Sequence, residues 1–282
     1  MARASLILIA LLIASALSLP AGQGLAQALT YTGCGGVASP PTYNPAYEQT
    51  LVELVNSERA ANGNLPPLKR SDSLDQAARY HAIDMAQDGY FEHDTYDRNA
   101  SHQLVYVCDT WQRLGSYYPN ANAMGENIAS GQDTPADVME DWMNSSGHRA
   151  NILSTNSREI GVGYSPGGIY GTSWVQDFGK RNNVYPLVIA REEDVVSNRN
   201  VSLYIYGQGV WSEMRLRNDS DAWGPWQPFQ SQLNWSLADL HGVRTVWVEM
   251  RQGAQTYITS DTIFFNNPAT YSYKVYLPAI IR

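Results

Sequence analysis

The sequence is poor in cysteine, in basic charge and in long apolar runs. Cys34 and Cys108 are its two cysteines, so at most one intrachain disulfide can form. Lys and Arg number 19 against 27 Asp and Glu, a formal net charge of −8, and no Lys/Arg cluster is present that would track a phosphate backbone. Nucleic acid is therefore not an expected partner. Beyond the N-terminus no stretch approaches the roughly 18 apolar residues of a spanning helix, which excludes a membrane span in the mature chain. Cys34 lacks the small-residue context of a lipid-attachment site, which argues against a lipoprotein. Histidine, the natural metal and proton ligand near neutral pH, occurs five times.

What is present begins with a leader. Arg3 precedes an apolar run from Leu6 to Leu19, then Pro20, Gly22 and the step Ala26-Gln27-Ala28, the pattern of a secretory signal peptide over residues 1–28. Cleavage after Ala26 and an uncleaved anchor are the alternatives. The expected destination is extracellular or at the cell surface. An oxidising compartment would favour a disulfide between Cys34 and Cys108, tying an N-terminal arm (29–43) to the first domain; spacing alone leaves two separate thiols open.

Over 282 residues, 44% hydrophobic content supports one large or two ordinary cores, and two domains are expected. Asn44-Pro45 starts a helix with Tyr47, Leu51, Leu54 and Val55 on one face. Ser73 and Gln76 read as a capping box opening a second helix, striped by Leu74, Ala77, Ala78, His81 and Met85 and stopped at Gly89. Thr134-Pro135 opens a third, carrying Val138 and Trp142 inward. The long Tyr-, Asn-, Asp- and Gly-rich segment between the second and third reads as a loop. From Ile160 the pattern becomes strand-like, through Gly161-Val162-Gly163 and Thr172 to Phe178, giving an α+β first domain over 44–182. After Tyr185-Pro186 short alternating runs such as Val201/Leu203/Ile205 and Val246/Val248/Met250 predict an immunoglobulin or fibronectin-III-like β-sandwich over 186–268. Its tryptophans read as packing or as an exposed platform for glycan, with Trp223-Gly224-Pro225-Trp226 the stretch a turn would expose. An apolar tail (269–282) follows.

His81 lies on an apolar helical stripe and reads as a core histidine; His102 and His241 are given no role. His93, in Gly89-Tyr90-Phe91-Glu92-His93, and His148, in Ser145-Ser146-Gly147-His148-Arg149-Ala150-Asn151-Ile152-Leu153, each follow a helix end. Such positions can hold an imidazole over a cleft. Glu126 sits in Gly125-Glu126-Asn127-Ile128-Ala129.

Together with Asn56-Ser57-Glu58-Arg59 and Trp142-Met143-Asn144, these segments resemble, in order, the CAP superfamily of cysteine-rich secretory, antigen five and pathogenesis-related proteins, most closely its bacterial SCP-like branch. The resemblance implies an α-β-α sandwich with a cleft lined by two histidines and two acids. His93, Glu126 and His148 match three of these positions, while the fourth falls on Ser145, a departure. Two neutral imidazoles can bind zinc, nickel or copper, leaving positions open, with Glu126 near enough to orient or deprotonate a water. Three functions follow as expectations: binding of a small lipid- or sterol-like ligand or a divalent metal, with a cell-surface component as the other candidate partner; a metal-dependent hydrolase or peptidase with Glu126 as base; or a structural envelope or adhesion protein without cleft activity.

Overall fold

The computed structural model describes residues 31–35 and 39–267. The expected signal peptide, residues 29–30 and 36–38 of the arm, and the apolar tail lie outside the described residues. Among the described residues no helix is long and apolar enough to cross a membrane.

Helix α1 (Pro45–Ala61) starts where proline places it, and the Asn44 side chain accepts the Tyr47 N–H at 3.1 Å. Strand β1 (Lys69–Arg70) leads into α2 (Asp72–Asp88), whose N-cap is Ser71 rather than Ser73. The expected capping box is overridden by tertiary pairing. Ser71 N–H still bonds the Ile160 carbonyl of the sheet at 2.9 Å, so the chain turns into the helix as soon as it leaves the sheet. Gly89 ends α2 in the left-handed region at φ 65°, which glycine adopts without a Cβ clash.

The segment expected to be a loop is ordered throughout. It forms the hairpin β2 (Thr95–Arg98) and β3 (Leu104–Cys108), helix α3 (Thr110–Tyr117) and strand β4 (Ala121–Ser130). Asp109 and Gln112 make the capping box that starts α3, a signal hidden within a composition rich in loop formers. Helices α4 (Pro135–Asn144) and α5 (Ser146–Ile152) and strands β5 (Glu159–Pro166) and β6 (Thr172–Arg181) complete this part.

The strands lie in the order β1-β5-β6-β4, and helices cover both faces. On one side Leu51, Val52 and Val55 of α1, Val138, Met139 and Trp142 of α4 and Ile152 of α5 pack on Ile160, Val162, Trp174 and Phe178. On the other, Ala78, Ala82 and Met85 of α2 meet Ile128 and Val175, and Leu74 and Ala77 meet Leu114 of α3. The result is a three-layer α-β-α arrangement. Alternation along β4 and β6 sends Glu126, Ile128, Val175 and Asp177 toward α2, and Asn127, Ala129, Trp174 and Gln176 toward the other layer. Cys34 and Cys108 are joined by a disulfide, Cα–Cα 5.7 Å, which ties the arm to the end of β3.

The remaining strands are β7 (Leu187–Ile189), β8 (Val195–Val196), β9 (Asn200–Ile205), β10 (Glu213–Asn218), β11 (Gln227–Pro228), β12 (Gln232–Ser236), β13 (Gly242–Gln252) and β14 (Gln255–Phe265). They form a three-stranded sheet, β12-β9-β7, and a five-stranded sheet, β11-β10-β13-β14-β8, around one core that includes Leu203, Ile205, Met214, Val246, Val248 and Met250. The tryptophans divide between core edge and surface. Trp223, Trp226 and Trp247 are interleaved with Arg215, Arg217 and Arg251, whose guanidinium carbons lie 4.0 to 5.3 Å from the ring centres. Their ring faces are engaged by cations of the same chain.

Ala190, Arg191 and Glu192, three consecutive non-glycine residues at φ 44°, 57° and 68°, join the two parts. Each such residue costs about 1–2 kcal/mol, so the surroundings must hold the connection in place. Asn56 donates to the Arg191 carbonyl at 2.9 Å, Arg191 donates to the Asn56 carbonyl at 3.0 Å, and Lys69 pairs with Glu192 at 2.7 Å and with Asp261.

A candidate metal-binding cleft

The candidate site is built outward from β4. Glu126 and Asn127 are adjacent, so their side chains leave opposite faces of the sheet. Asn127 donates to the His148 carbonyl at 3.2 Å and to Gln176 at 3.1 Å, and its own side-chain oxygen accepts from Asn151 at 2.9 Å. Asn151 also reaches the Glu126 carbonyl at 3.2 Å. These bonds fasten α5, and with it His148, to the strand. Gly125 makes the approach possible, because a Cβ there would stand 2.8 Å from the Asn151 side chain.

Glu126 points the other way and is buried. One oxygen, Oε1, accepts from His93 Nδ1 at 2.9 Å, and the other, Oε2, accepts from Arg113. Arg113 is itself fully buried and donates at 2.9 Å both to the His93 carbonyl and to Thr95 Oγ1, while Thr110 Oγ1 bonds the same carbonyl at 2.9 Å. The His93 backbone and ring are thus each held, although the side chain is 52% exposed against 2% for Glu126. Burial acts to raise the Glu126 pKa, but the Arg113 charge, helped by the hydrogen bond from His93, outweighs it and holds the carboxyl well below the usual range. An ionised carboxylate only accepts, so His93 Nδ1 carries the proton. In the neutral ring Nε2 then keeps a lone pair.

The two histidines differ electrically. The bond to Glu126 raises the His93 pKa, whereas burial and then the nearby His93 lower that of His148. His148 is therefore the more readily neutral imidazole. Asp177 lies directly opposite Glu126 in the β4–β6 register and is fully buried; burial and then the Glu126 charge raise its pKa well above the ordinary carboxylate value. Of the two facing acids it is therefore the one that holds its proton more strongly.

Sequence reasoning misses Arg113 and Asp177. Arg113 stands in a segment read as loop, and Asp177 alternates with apolar residues on a strand whose facing partner the sequence does not reveal. His81 is a core histidine. It is fully buried on α2, with Nε2–H donated to the Glu92 carbonyl at 3.0 Å, and burial lowers its pKa to about 3. Ser145, at the position where the fourth acid was expected, links α4 and α5.

A histidine with a depressed folded-state pKa contributes stability above its unfolded value near 6.5, and that contribution is lost as the pH falls toward 3. Denaturant midpoints are accordingly expected to fall on acidification below about pH 6.5, and His81→Gln, which keeps a donor for Glu92, should flatten the fall above about pH 4.5. Parallel wild-type and variant profiles would contradict this.

The sequence is similar to those of known proteins. Residues 52–178 match the model of the cysteine-rich secretory protein family, CAP. The chain is 41% identical over 140 residues to the uncharacterized protein YkwD of Bacillus subtilis (strain 168), covering 50% of this chain and 49% of that protein. It is 32% identical over 117 residues to the uncharacterized membrane protein YlbC of the same organism, covering 41% and 31%. The match thus spans about half the length of the first relative and less of the second. Among solved structures, an outer surface protein from Borrelia burgdorferi is 22% identical with a TM-score of 0.42, covering 51% of this chain and 99% of that one. An extracellular SCP-domain protein from Bacillus anthracis is 27% identical with a TM-score of 0.40, covering 48% and 40%. Residues 52–178 of this chain are a CAP domain of the cysteine-rich secretory protein family.

Proposed function

We propose that this is an exported CAP-domain protein whose cleft binds a divalent transition metal through His93 Nε2 and His148. The observation that carries the reading is the Glu126–His93 bond, backed by Arg113. A carboxylate behind an imidazole fixes its tautomer and raises its basicity, as behind histidines that ligate zinc. Two imidazoles leave coordination positions open, so a bound zinc ion would polarise a water or a ligand oxygen there. Holding it falls to His93 and His148, while Glu126 positions.

Glu126 is a poor candidate for the base of a hydrolase. Both its oxygens are engaged and its affinity for a proton is depressed, which favours binding over metal-assisted hydrolysis. A groove of about 980 Å³ outlined by described residues does not include His93, Glu126 or His148 and so lends the apolar-ligand reading of that site no support. It lies between the two parts of the chain and is lined both by charged residues such as Lys69, Glu192 and Asp261 and by apolar ones such as Leu187, Val243 and Ile263.

The β part is read as immunoglobulin or fibronectin-III-like. Its strands pass repeatedly between the two sheets, with β7, β9 and β12 in one and β8, β10, β11, β13 and β14 in the other, as in such sandwiches. Export rests on the leader pattern and agrees with the disulfide.

Calorimetric titration of zinc into the purified protein, beside a folded His93→Ala/His148→Ala variant, tests the cleft. Saturable binding by the wild type and none by the variant is expected. No binding by the folded wild type would remove the metal reading and leave a structural or adhesive role.

A further inference from the structure

A second group of ligating side chains lies at the far end of α2. Asp84 and Asp88, one turn apart on the helix, share a face, and β2 brings Asp97 alongside. One carboxylate oxygen from each lies within 4.8 Å of the others. Oxygens bound to one calcium ion at about 2.3–2.6 Å can stand at most about 5 Å apart, so the three already have the spacing of a shared ligand set.

The burial of this group is what needs explaining. Asp84 is 0% and Asp88 7% exposed, and among the described residues no Lys, Arg or His forms an ion pair with any of the three carboxylates. Arg98, the nearest candidate, directs its guanidinium to the carbonyls of Asp88 at 2.6 Å and His102 at 2.7 Å. Hydrogen bonds satisfy only part of the cluster. Tyr90 donates its hydroxyl to Asp84 Oδ2, and the Gly33 N–H reaches Asp97 Oδ2 at 2.9 Å and Oδ1 at 3.2 Å. Asp84 Oδ1 and Asp88 Oδ2 are buried with no hydrogen-bond partner. An unpartnered buried carboxylate oxygen is costly and rare, and two in one cluster of like charge point to a cation as their counterpart.

We propose that Asp84, Asp88 and Asp97 form a calcium site, distinct from the histidine cleft. The donors are all hard oxygens, which favours calcium over zinc or copper, and no compact octahedral cage of the kind magnesium requires is formed by carboxylates from one helix face and one strand. The ion would join three pieces of chain. These are the end of α2, the strand that starts two residues after His93, and the arm at Gly33, next to the Cys34–Cys108 disulfide. Calcium and disulfide together would clamp the arm and stiffen the base of the loop carrying His93. The assignment stands independently of metal binding in the cleft.

The test is thermal melting and calcium titration of the chelator-stripped full chain. Asp97→Asn, Asp84→Asn/Asp97→Asn and His93→Ala/His148→Ala serve as comparisons. The wild type should bind calcium saturably, with a dissociation constant on the order of 10⁻⁴–10⁻³ M as in extracellular modules, and melt several degrees higher in its presence. Asp97→Asn should weaken binding at least about tenfold by removing one charged ligand, the double Asp variant should abolish it, and the histidine variant should leave it intact. The Asn variants remove like-charge repulsion without changing size, and Asp97→Asn alone decides the matter if the double variant does not fold. No calcium response in the wild type, an equal response to magnesium, or an undiminished response in Asp97→Asn would overturn the assignment.

Discussion

Replacing Arg113 by methionine is expected to destabilise the protein by about 3–5 kcal/mol, measured by urea denaturation. The guanidinium is fully buried and makes three contacts, to Glu126, to the His93 carbonyl and to Thr95, and it is the one Arg or Lys that pairs with Glu126 among the described residues. Methionine fills much of the volume but leaves the Glu126 carboxylate buried without its charge partner. Removing one member of such a pair costs far more than the pair contributes, because the remaining charge has lost its water and keeps only the His93 hydrogen bond. Part of the loss should be recovered at low pH, where the stranded carboxyl can take up a proton, so the wild type and variant should converge in stability on acidification. A loss below about 1 kcal/mol would mean that Arg113 does not organise the cleft.

The second large effect is steric. Gly161→Ala should destabilise by at least about 3 kcal/mol, more than ordinary overpacking, because the obstruction is backbone. A Cβ on Gly161 would lie 2.0 Å from the Leu74 carbonyl carbon and 2.3 Å from the Asp75 nitrogen, and one on Gly163 would lie 2.2 Å from the Ala78 carbonyl carbon. The two glycines, on the same face of β5, let α2 rest directly on the strand. Moving α2 outward would also pull the end carrying Gly89 and the loop to His93 away from Glu126. Gly147→Ala is the control. No atom lies within 4 Å of its added Cβ, and inside α5 the change should stabilise by about 0.5–1 kcal/mol. Equal effects at the two positions would contradict the packing argument.

Those glycines also show what the sequence could and could not reveal. Gly161-Val162-Gly163 is readable as strand, and the helix starts at Asn44-Pro45 and Thr134-Pro135 are readable because proline and a capping side chain act locally. Local signals place the start of α2 two residues too late because a backbone bond to β5 decides it, and that pairing spans most of the domain. His93, Glu126 and His148 stand out because each belongs to a compact segment resembling the family. Arg113 does not, since its role comes from packing against residues up to 20 positions away, nor does Asp177, whose character depends on facing Glu126 across two strands. The three aspartates of the proposed calcium site read as ordinary polar positions on a helix end and a loop; only the hairpin that closes on α2 brings them together.

Arg113 and Glu126 present His93 with Nδ1 protonated and Nε2 open, beside His148, and the metal reading of the cleft depends on that. Imidazole nitrogen NMR, recorded above the His93 pKa and followed during zinc addition, tests it most directly. The account predicts an Nδ1–H tautomer at His93 and zinc-dependent shifts at His93 Nε2 and at His148 together. An Nε2–H tautomer at His93, or zinc shifts that leave both rings untouched, would contradict it.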